Sequence, residues 1–258
     1  MVEFLKKGRN DGGWKMKKRG VVLFDLYGTL IDIETDEGDP AVFAALSRYL
    51  LYHQVKIGPE DLKAAFFGEV GLRLSSREER NPEVNVFEVF RDIMRRHSGK
   101  KHHKLVVLSA TALFRSLTMR RFGLFPGVRG ALEEIAKTWR TALVSDAQWA
   151  FAEPEMELLG LEKFFLTRVL SSRLGFKKPD PRPFEIAMKR VGVSAGDCVY
   201  IGDSPERDLL GATNAGIRCV LFRRAAGPYD GLGAGLSAEA SFYEYGELYP
   251  LLLRLLPV

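Results

Sequence analysis

The chain has 258 residues, enough to bury a sizeable core. It is 46% hydrophobic and 28% charged, an ordinary balance for a water-soluble globular protein, and no apolar run approaches the ~18 residues of a membrane span. The formal charge of +5 is local rather than global: residues 1–19 hold seven basic residues (Lys6, Lys7, Arg9, Lys15, Lys17, Lys18, Arg19) and two acids (Glu3, Asp11), which accounts for the whole excess.

Residues 1–19 therefore read as a solvated basic leader, and neither a nucleic-acid nor a membrane partner is expected. The leader has no apolar h-region, so it does not read as a secretory signal. Met16 would make a natural start, which would leave residues 1–15 as an extension. The two cysteines, Cys198 and Cys219, each flank an apolar run and read as buried free thiols of a reducing cytoplasm. No CxxC or Cys/His metal spacing is present.

The first predicted strand is "GVVLFDL" (20–26). Residues 38–121 then read as four helices. "DPAVFAALSRYLLYHQV" opens on Asp39 as a cap and Pro40 in the first turn, with Val42, Phe43, Leu46, Leu50 and His53 on one face. "GPEDLKAAFFGEV" and "PEVNVFEVFRDIMRRH" follow, the latter with Val86, Phe90, Ile93 and Met94 on one face and Gly99 as a breaker. "KLVVLSATALFRSLTMRR" makes the fourth. The loop "RRHSGKKHHK" (95–104) carries three of the four histidines and reads as a solvated tip between two helices.

Beyond "VRGALEEIAKTW", predicted helical, come the strands "RTALVS" (140–145), "DCVYIG" (197–202) and "IRCVLF" (217–222), with "TRVLSS" (167–172) and "ASFYEY" (240–245) as weaker candidates. Uninterrupted apolar runs suit a parallel sheet covered on both faces. Helix "PFEIAMKRVG" sets Phe184, Ala187, Met188 and Val191 on one face and ends at Gly192. The Gly-rich stretch 227–237 reads as a loop, with nothing beside it to make a phosphate cradle. The expected fold is α/β: a doubly wound, Rossmann-like parallel sheet (20–37 and 122–258) with an inserted all-helical cap (38–121).

Active sites of such sheets lie at the carboxyl ends of the strands. Those ends supply Asp25 in "FDLYGT", Ser145 and Asp146 in "LVSDAQ", and Asp203 and Asp208 in "YIGDSPERD"; Lys178 comes from the loop "GFKKPDPRPF". Taken singly, each also suits a turn or a helix cap. Together they offer a carboxylate nucleophile, a hydroxyl donor, a cation and an acidic pair, the set that phosphoryl transfer through an aspartyl intermediate requires. Asp25 and Asp203 can offer hard oxygens to Mg²⁺. Asp208 can hold a metal-bound water or the lysine, and Lys178 balances the negative charge. Ser145 and the N–H groups after it can hold phosphate oxygens. Arg173 reads equally as a cleft residue or a surface one, and Arg77 and Arg80 as a solvated loop.

Over residues 20–222 the chain resembles the haloacid dehalogenase (HAD) superfamily. "VVLFDLYGTLID", "ALVSDA", "GFKKPDPRPF" and "VYIGDSPERD" are similar to its four motifs, and the helical insert matches a C1-type cap in place and size. The resemblance implies Asp25 as nucleophile, Ser145 as phosphate ligand and Lys178 as the charge-balancing lysine. It implies Asp25, Asp203, Asp208 and the Tyr27 backbone carbonyl as the Mg²⁺ site. It implies a cytoplasmic phosphatase of a small phosphorylated metabolite; it leaves the oligomeric state open.

Tyr27 departs from that pattern. Phosphatases of the family usually carry an acid there to protonate the leaving alkoxide, and a phenol of pKa ≈ 10 is a poor substitute at neutral pH. A "DxYGT" first motif resembles the L-2-haloacid dehalogenases, whose halide leaving group needs no proton. Those enzymes lack the "GDxxxxD" pattern kept here, and their Trp–Arg–Gln cap segment is not found in residues 38–121. The expectation is thus a Mg²⁺-dependent phosphatase favouring acyl or aryl phosphates, with a metal-independent dehalogenase or a weakly active phosphate-binding protein as alternatives.

Overall fold

The computed structural model describes residues 20–223 and 238–256. The expected leader and the Gly-rich stretch 227–237 lie outside the described residues. In chain order the elements are β1 (Val21–Phe24), β2 (Ile31–Thr35), α1 (Pro40–Tyr52), α2 (Pro59–Ser75), α3 (Val86–Ser98), α4 (Lys104–Thr118), β3 (Met119–Leu124), α5 (Val128–Thr138), β4 (Arg140–Ser145), α6 (Trp149–Leu158), β5 (Arg168–Leu170), α7 (Ser171–Leu174), α8 (Arg182–Val191), β6 (Cys198–Gly202), α9 (Leu210–Asn214), β7 (Arg218–Phe222), β8 (Ala240–Phe242) and α10 (Leu248–Leu255).

Six strands form one parallel sheet in the order β5–β4–β1–β6–β7–β8. Strand β1 is central, with Val21 beside Arg140 of β4 and Cys198 of β6. Its residues alternate between two layers. Val22 and Phe24 join the core that includes Leu132 and Ile135 of α5 and Leu252 of α10, while Val21 and Leu23 join Phe184 and Ala187 of α8. Both faces are dry, which is why this strand shows no polar alternation. The two weaker strand candidates are real but short: "TRVLSS" yields β5 and then turns into α7, and "ASFYEY" yields β8.

The insert has its own apolar core. Val42, Phe43, Leu46 and Leu50 of α1 meet Phe90, Ile93 and Met94 of α3 and Phe114 of α4. Asp39 caps α1 as expected, its side chain accepting the Ala41 N–H at 2.8 Å. One expectation fails at the margin. Residues 119–121, read as the end of the fourth helix, belong to β3, which pairs antiparallel with β2. The pattern "TMRRF" suits either period, and the pairing with β2 decides it, a tertiary choice overriding local propensity. This ribbon carries the chain between sheet and insert, and Asp36 N–H bonds Thr118 O at 2.8 Å where it ends.

The insert is also joined to the sheet domain by packing. Phe151 of α6 is buried in the insert's apolar core. Among the described residues no helix is long and apolar enough to cross a membrane. Cys198 and Cys219 are both buried and free.

Candidate active site

The carboxyl ends of β1, β4 and β6 lie side by side. Asp25 follows β1, and its N–H still bonds Ile201 O of β6 at 2.9 Å. The carboxylate is thus fixed by the sheet itself and is only 4% exposed. The chain then reverses at Gly28, whose φ of 84° is a conformation that side chains disfavour. Gly202 ends β6, and any Cβ there would collide with the Asp208 carboxyl group. The glycine of "GD" therefore admits Asp208 against the strand end.

Asp208 is the hub. Its Oδ2 accepts the N–H groups of Asp203 (3.0 Å) and Ser204 (2.8 Å), which fixes the turn after β6. Its Oδ1 lies 2.6 Å from Lys178 Nζ and 3.1 Å from the Tyr200 hydroxyl. Lys178 Nζ also donates to the Tyr200 hydroxyl at 2.9 Å and approaches Asp25 Oδ1 at 3.0 Å, too obliquely for a hydrogen bond. Asp146 holds the lysine's loop, its Oδ1 accepting the Lys178 N–H at 3.0 Å. Asp203 Oδ1 accepts the Thr29 hydroxyl at 3.0 Å. Sequence reasoning missed Tyr200 and Thr29; Tyr200 is a hydroxyl-bearing residue inside an otherwise apolar strand, which was the one available signal.

This crowding sets the charges. Burial alone would push the Lys178 ammonium down, but Asp208, Asp25 and Asp146 outweigh it and hold it well above the usual lysine range. Burial likewise opposes ionisation of Asp208, but Lys178 and the donated hydrogen bonds bring its carboxyl below the usual range. Asp25 goes the other way. Burial raises it to about 6, with Lys178 pulling down and Asp208 pushing up. Asp146 is also raised, chiefly by burial.

One carboxylate oxygen from each of Asp25, Asp203 and Asp208 lies within 4.8 Å of the other two. Such an all-oxygen set fits a hard divalent cation. Asp25 Oδ1, Ser145 Oγ and Asp146 Oδ2 are buried without a hydrogen-bond partner. Asp25 Oδ1 has the Lys178 ammonium beside it, which leaves Ser145 Oγ and Asp146 Oδ2 as polar atoms at this edge open to a ligand. Both oxygens of Asp208 are already engaged, so its geometry suits the role of ordering Lys178 and the β6 turn.

Tyr27 lies apart from this set. Its hydroxyl donates to Glu155 Oε2 of α6 at 2.5 Å. Arg115 of α4 pairs with the same carboxylate, Nε to Oε1 at 2.6 Å, and its guanidinium stacks 5.2 Å from the Tyr27 ring and 5.0 Å from that of Phe151. Burial, then the Glu155 charge, pushes the phenol far above its ordinary value. Neither Arg115 nor Glu155 carried a motif in the sequence. Of the other candidates, Arg173 pairs with Glu153 at 2.7 Å and stacks 4.4 Å over Trp149, and Arg77 donates to Gly175 O at 2.8 Å. The expectation of a solvated loop thus fails for Arg77, whose contact is with the sheet domain.

Residues 20–216 match the family model of the haloacid dehalogenase-like hydrolases, and the chain belongs to that family of hydrolases. It is 30% identical over 143 residues to a phosphoserine phosphatase of Thermus thermophilus, a match covering 55% of this chain and 56% of that enzyme's length. It is 28% identical over 214 residues to a phosphoglycolate phosphatase of Pseudomonas fluorescens, covering 78% of this chain and 68% of the relative. Two solved structures share its fold. A 2-haloacid dehalogenase of Pseudomonas syringae superposes with a TM-score of 0.65 at 23% identity, covering 91% of this chain and 98% of that one. A HAD phosphatase of Thermococcus onnurineus does so at 0.57 and 21%, covering 93% and 100%.

Proposed function

We propose that the protein is a Mg²⁺-dependent phosphatase of a small phosphorylated metabolite, acting through an aspartyl-phosphate at Asp25. The observation that carries this reading is the Asp25 carboxylate 3.0 Å from the Lys178 ammonium and within 4.8 Å of two further carboxylates. The phosphatase names of the sequence relatives support it.

An Asp25 oxygen attacks phosphorus, the P–O bond to the leaving group breaks, and the leaving oxygen departs as an anion that takes any proton it needs from solvent. Water then cleaves the acyl phosphate, returning the carboxylate and inorganic phosphate. Ser145 Oγ, buried and unpartnered, donates to a phosphate oxygen, and Lys178 offsets charge that builds there. Asp25, Asp203 and the Tyr27 carbonyl would hold the metal, with Asp208 orienting the lysine. When bound, Mg²⁺ neutralises the repulsion between a carboxylate nucleophile and a phosphate dianion. Tyr27 keeps its proton on Glu155, so leaving groups that depart unprotonated, as in acyl and aryl phosphates, are preferred.

The test is a screen of phosphorylated metabolites with Mg²⁺ and with EDTA. Phosphate release that EDTA abolishes is expected. Chloride release from L-2-chloropropionate in EDTA would select the dehalogenase reading, which Tyr27 favours. A thermal shift with phosphate ligands and no turnover would leave a binding protein.

A further inference from the structure

We propose that Glu83, carried by the insert, is a positioning residue that locks together the two loops bearing Ser145 and Lys178. The proposal rests on the phosphatase reading for its consequence in turnover, but not for the coupling itself.

Residues 76–85, between α2 and α3, lie across the sheet domain as a strap. Pro82 pairs with Phe176, Glu83 N–H bonds Gly175 O at 3.0 Å, and Lys177 N–H bonds Asn81 O at 3.0 Å. The strap thus extends the backbone just before Lys178. Gly175 has a φ of 87°, and a side chain there would occupy the space of the Arg77 guanidinium.

The same strap reaches the loop after Ser145. Glu83 Oε2 accepts the Ser171 hydroxyl at 2.7 Å, and Ser171 Oγ accepts the Ala147 N–H at 3.0 Å. Glu83 Oε1 accepts the Val84 N–H at 2.9 Å and lies 3.5 Å from Gln148 Nε2. Gln148 closes the loop by bonding Val84 O at 2.9 Å and the Val86 N–H at 2.8 Å. Glu83 is buried, and every group facing it is a neutral donor.

Burying a carboxylate among neutral donors is unfavourable for the fold alone. It is the acceptor-only character that this position uses. A glutamine would turn one amide N–H₂ toward the Ser171 hydroxyl or the Val84 N–H, leaving a donor unpaired. The insert thereby helps set the separation of Ser145 from Lys178, and hence the shape of the phosphate seat.

Hydrogen exchange on the metal-free full chain tests this without needing turnover. In Glu83→Gln the amides of residues 145–149 and 174–178 should exchange about tenfold faster than in wild type, while the central strands keep their protection. Glu79→Gln, which removes the strap's pair with Arg182 of α8 and touches none of the Glu83 bonds, should leave residues 145–149 unchanged. If Glu83→Gln does not fold, Ser171→Ala breaks the same relay from the sheet side and should loosen residues 145–149. The inhibition constant of inorganic phosphate should rise about tenfold in the folded variant, a loss of one buried hydrogen bond's order. Loops that exchange as in wild type in folded Glu83→Gln or Ser171→Ala would overturn the proposal. A wild type without phosphatase activity would overturn the functional reading alone, because exchange would still report on the strap.

Discussion

Tyr27 donates a hydrogen bond from its hydroxyl to Glu155 Oε2 of α6 at 2.5 Å, which ties the turn after β1 to a carboxylate of the sheet part that the insert also binds. Arg115 of the insert binds both oxygens of the same carboxylate, Nε to Oε1 at 2.6 Å and Nη2 to Oε2 at 3.2 Å. The side chains of the ion pair are 11% and 7% exposed, so the contact is largely dry.

Removing one partner of that pair should be costly. Glu155→Gln leaves the Arg115 guanidinium buried without a full counter-charge, and a loss of about 3–5 kcal/mol is expected. Replacing the whole cluster by apolar residues, Arg115→Met and Glu155→Leu with Tyr27→Phe so that no buried hydroxyl loses its acceptor, should recover most of it. Urea unfolding of wild type and the two variants measures this; a single mutant as stable as wild type would mean the pair is solvated.

Tyr27→Phe should cost about 1 kcal/mol, the usual worth of one hydrogen bond, and leave kcat for an aryl phosphate near the wild-type value. Tyr27→Asp should instead create a leaving-group acid. Burial and the neighbouring Glu155 favour the protonated form of the new carboxyl, against the pull of Arg115. General acid catalysis is worth about 10²–10⁴-fold, so kcat/KM for alkyl phosphates should rise more than for aryl phosphates. Equal changes for a matched pair, in a variant that melts normally, would show that position 27 does not face the leaving group.

Lys178→Ala should lower activity by about 10²–10³-fold, as for loss of a preorganised charge. It should also lower stability by roughly 3–5 kcal/mol, because Asp25 and Asp208 would be left buried side by side. Lys177→Ala should do neither, since the strap holds that residue by its backbone N–H. Parallel assays and melts of the two variants separate them; equal losses would contradict the assignment.

Asp25→Asn should abolish turnover, a fall of more than about 10³-fold. Its stability effect should depend on pH. In the unfolded chain Asp25 loses its proton near 3.8, whereas the folded, metal-free protein keeps it up to about 6. The folded state therefore binds more protons between those values, and stability falls as pH rises through that window. At pH 7.5 without metal, Asp25→Asn should be more stable than wild type by about 1–3 kcal/mol, with the difference vanishing below pH 4. Melting curves in EDTA at both pH values check this, and an unchanged difference would remove burial as the source of the shift.

The sequence by itself determined the parallel sheet and most of its strands. "VVLF", "ALV" and "CVYI" show no alternation of apolar and charged positions, and such a run suits a strand covered on both faces. It also placed Asp25, Ser145, Asp203 and Asp208 at one edge, because the ends of parallel strands in a doubly wound sheet converge there. Lys178 was legible from its loop, but its contacts with Tyr200 and Asp208 were not. Only the tertiary structure decided what Tyr27 does. Its partner Glu155 lies 128 positions along the chain, and Arg115 comes from the inserted domain. Periodicity reports which face of an element is buried, not which distant polar group meets it there. The same holds for residues 76–85, where "SSREER" reads as a solvated loop and "PEVN" as the start of a helix that in the structure begins only at Val86. Glu83 is buried because Ser171 and Gln148 supply donors from another domain, a pairing that no local pattern encodes.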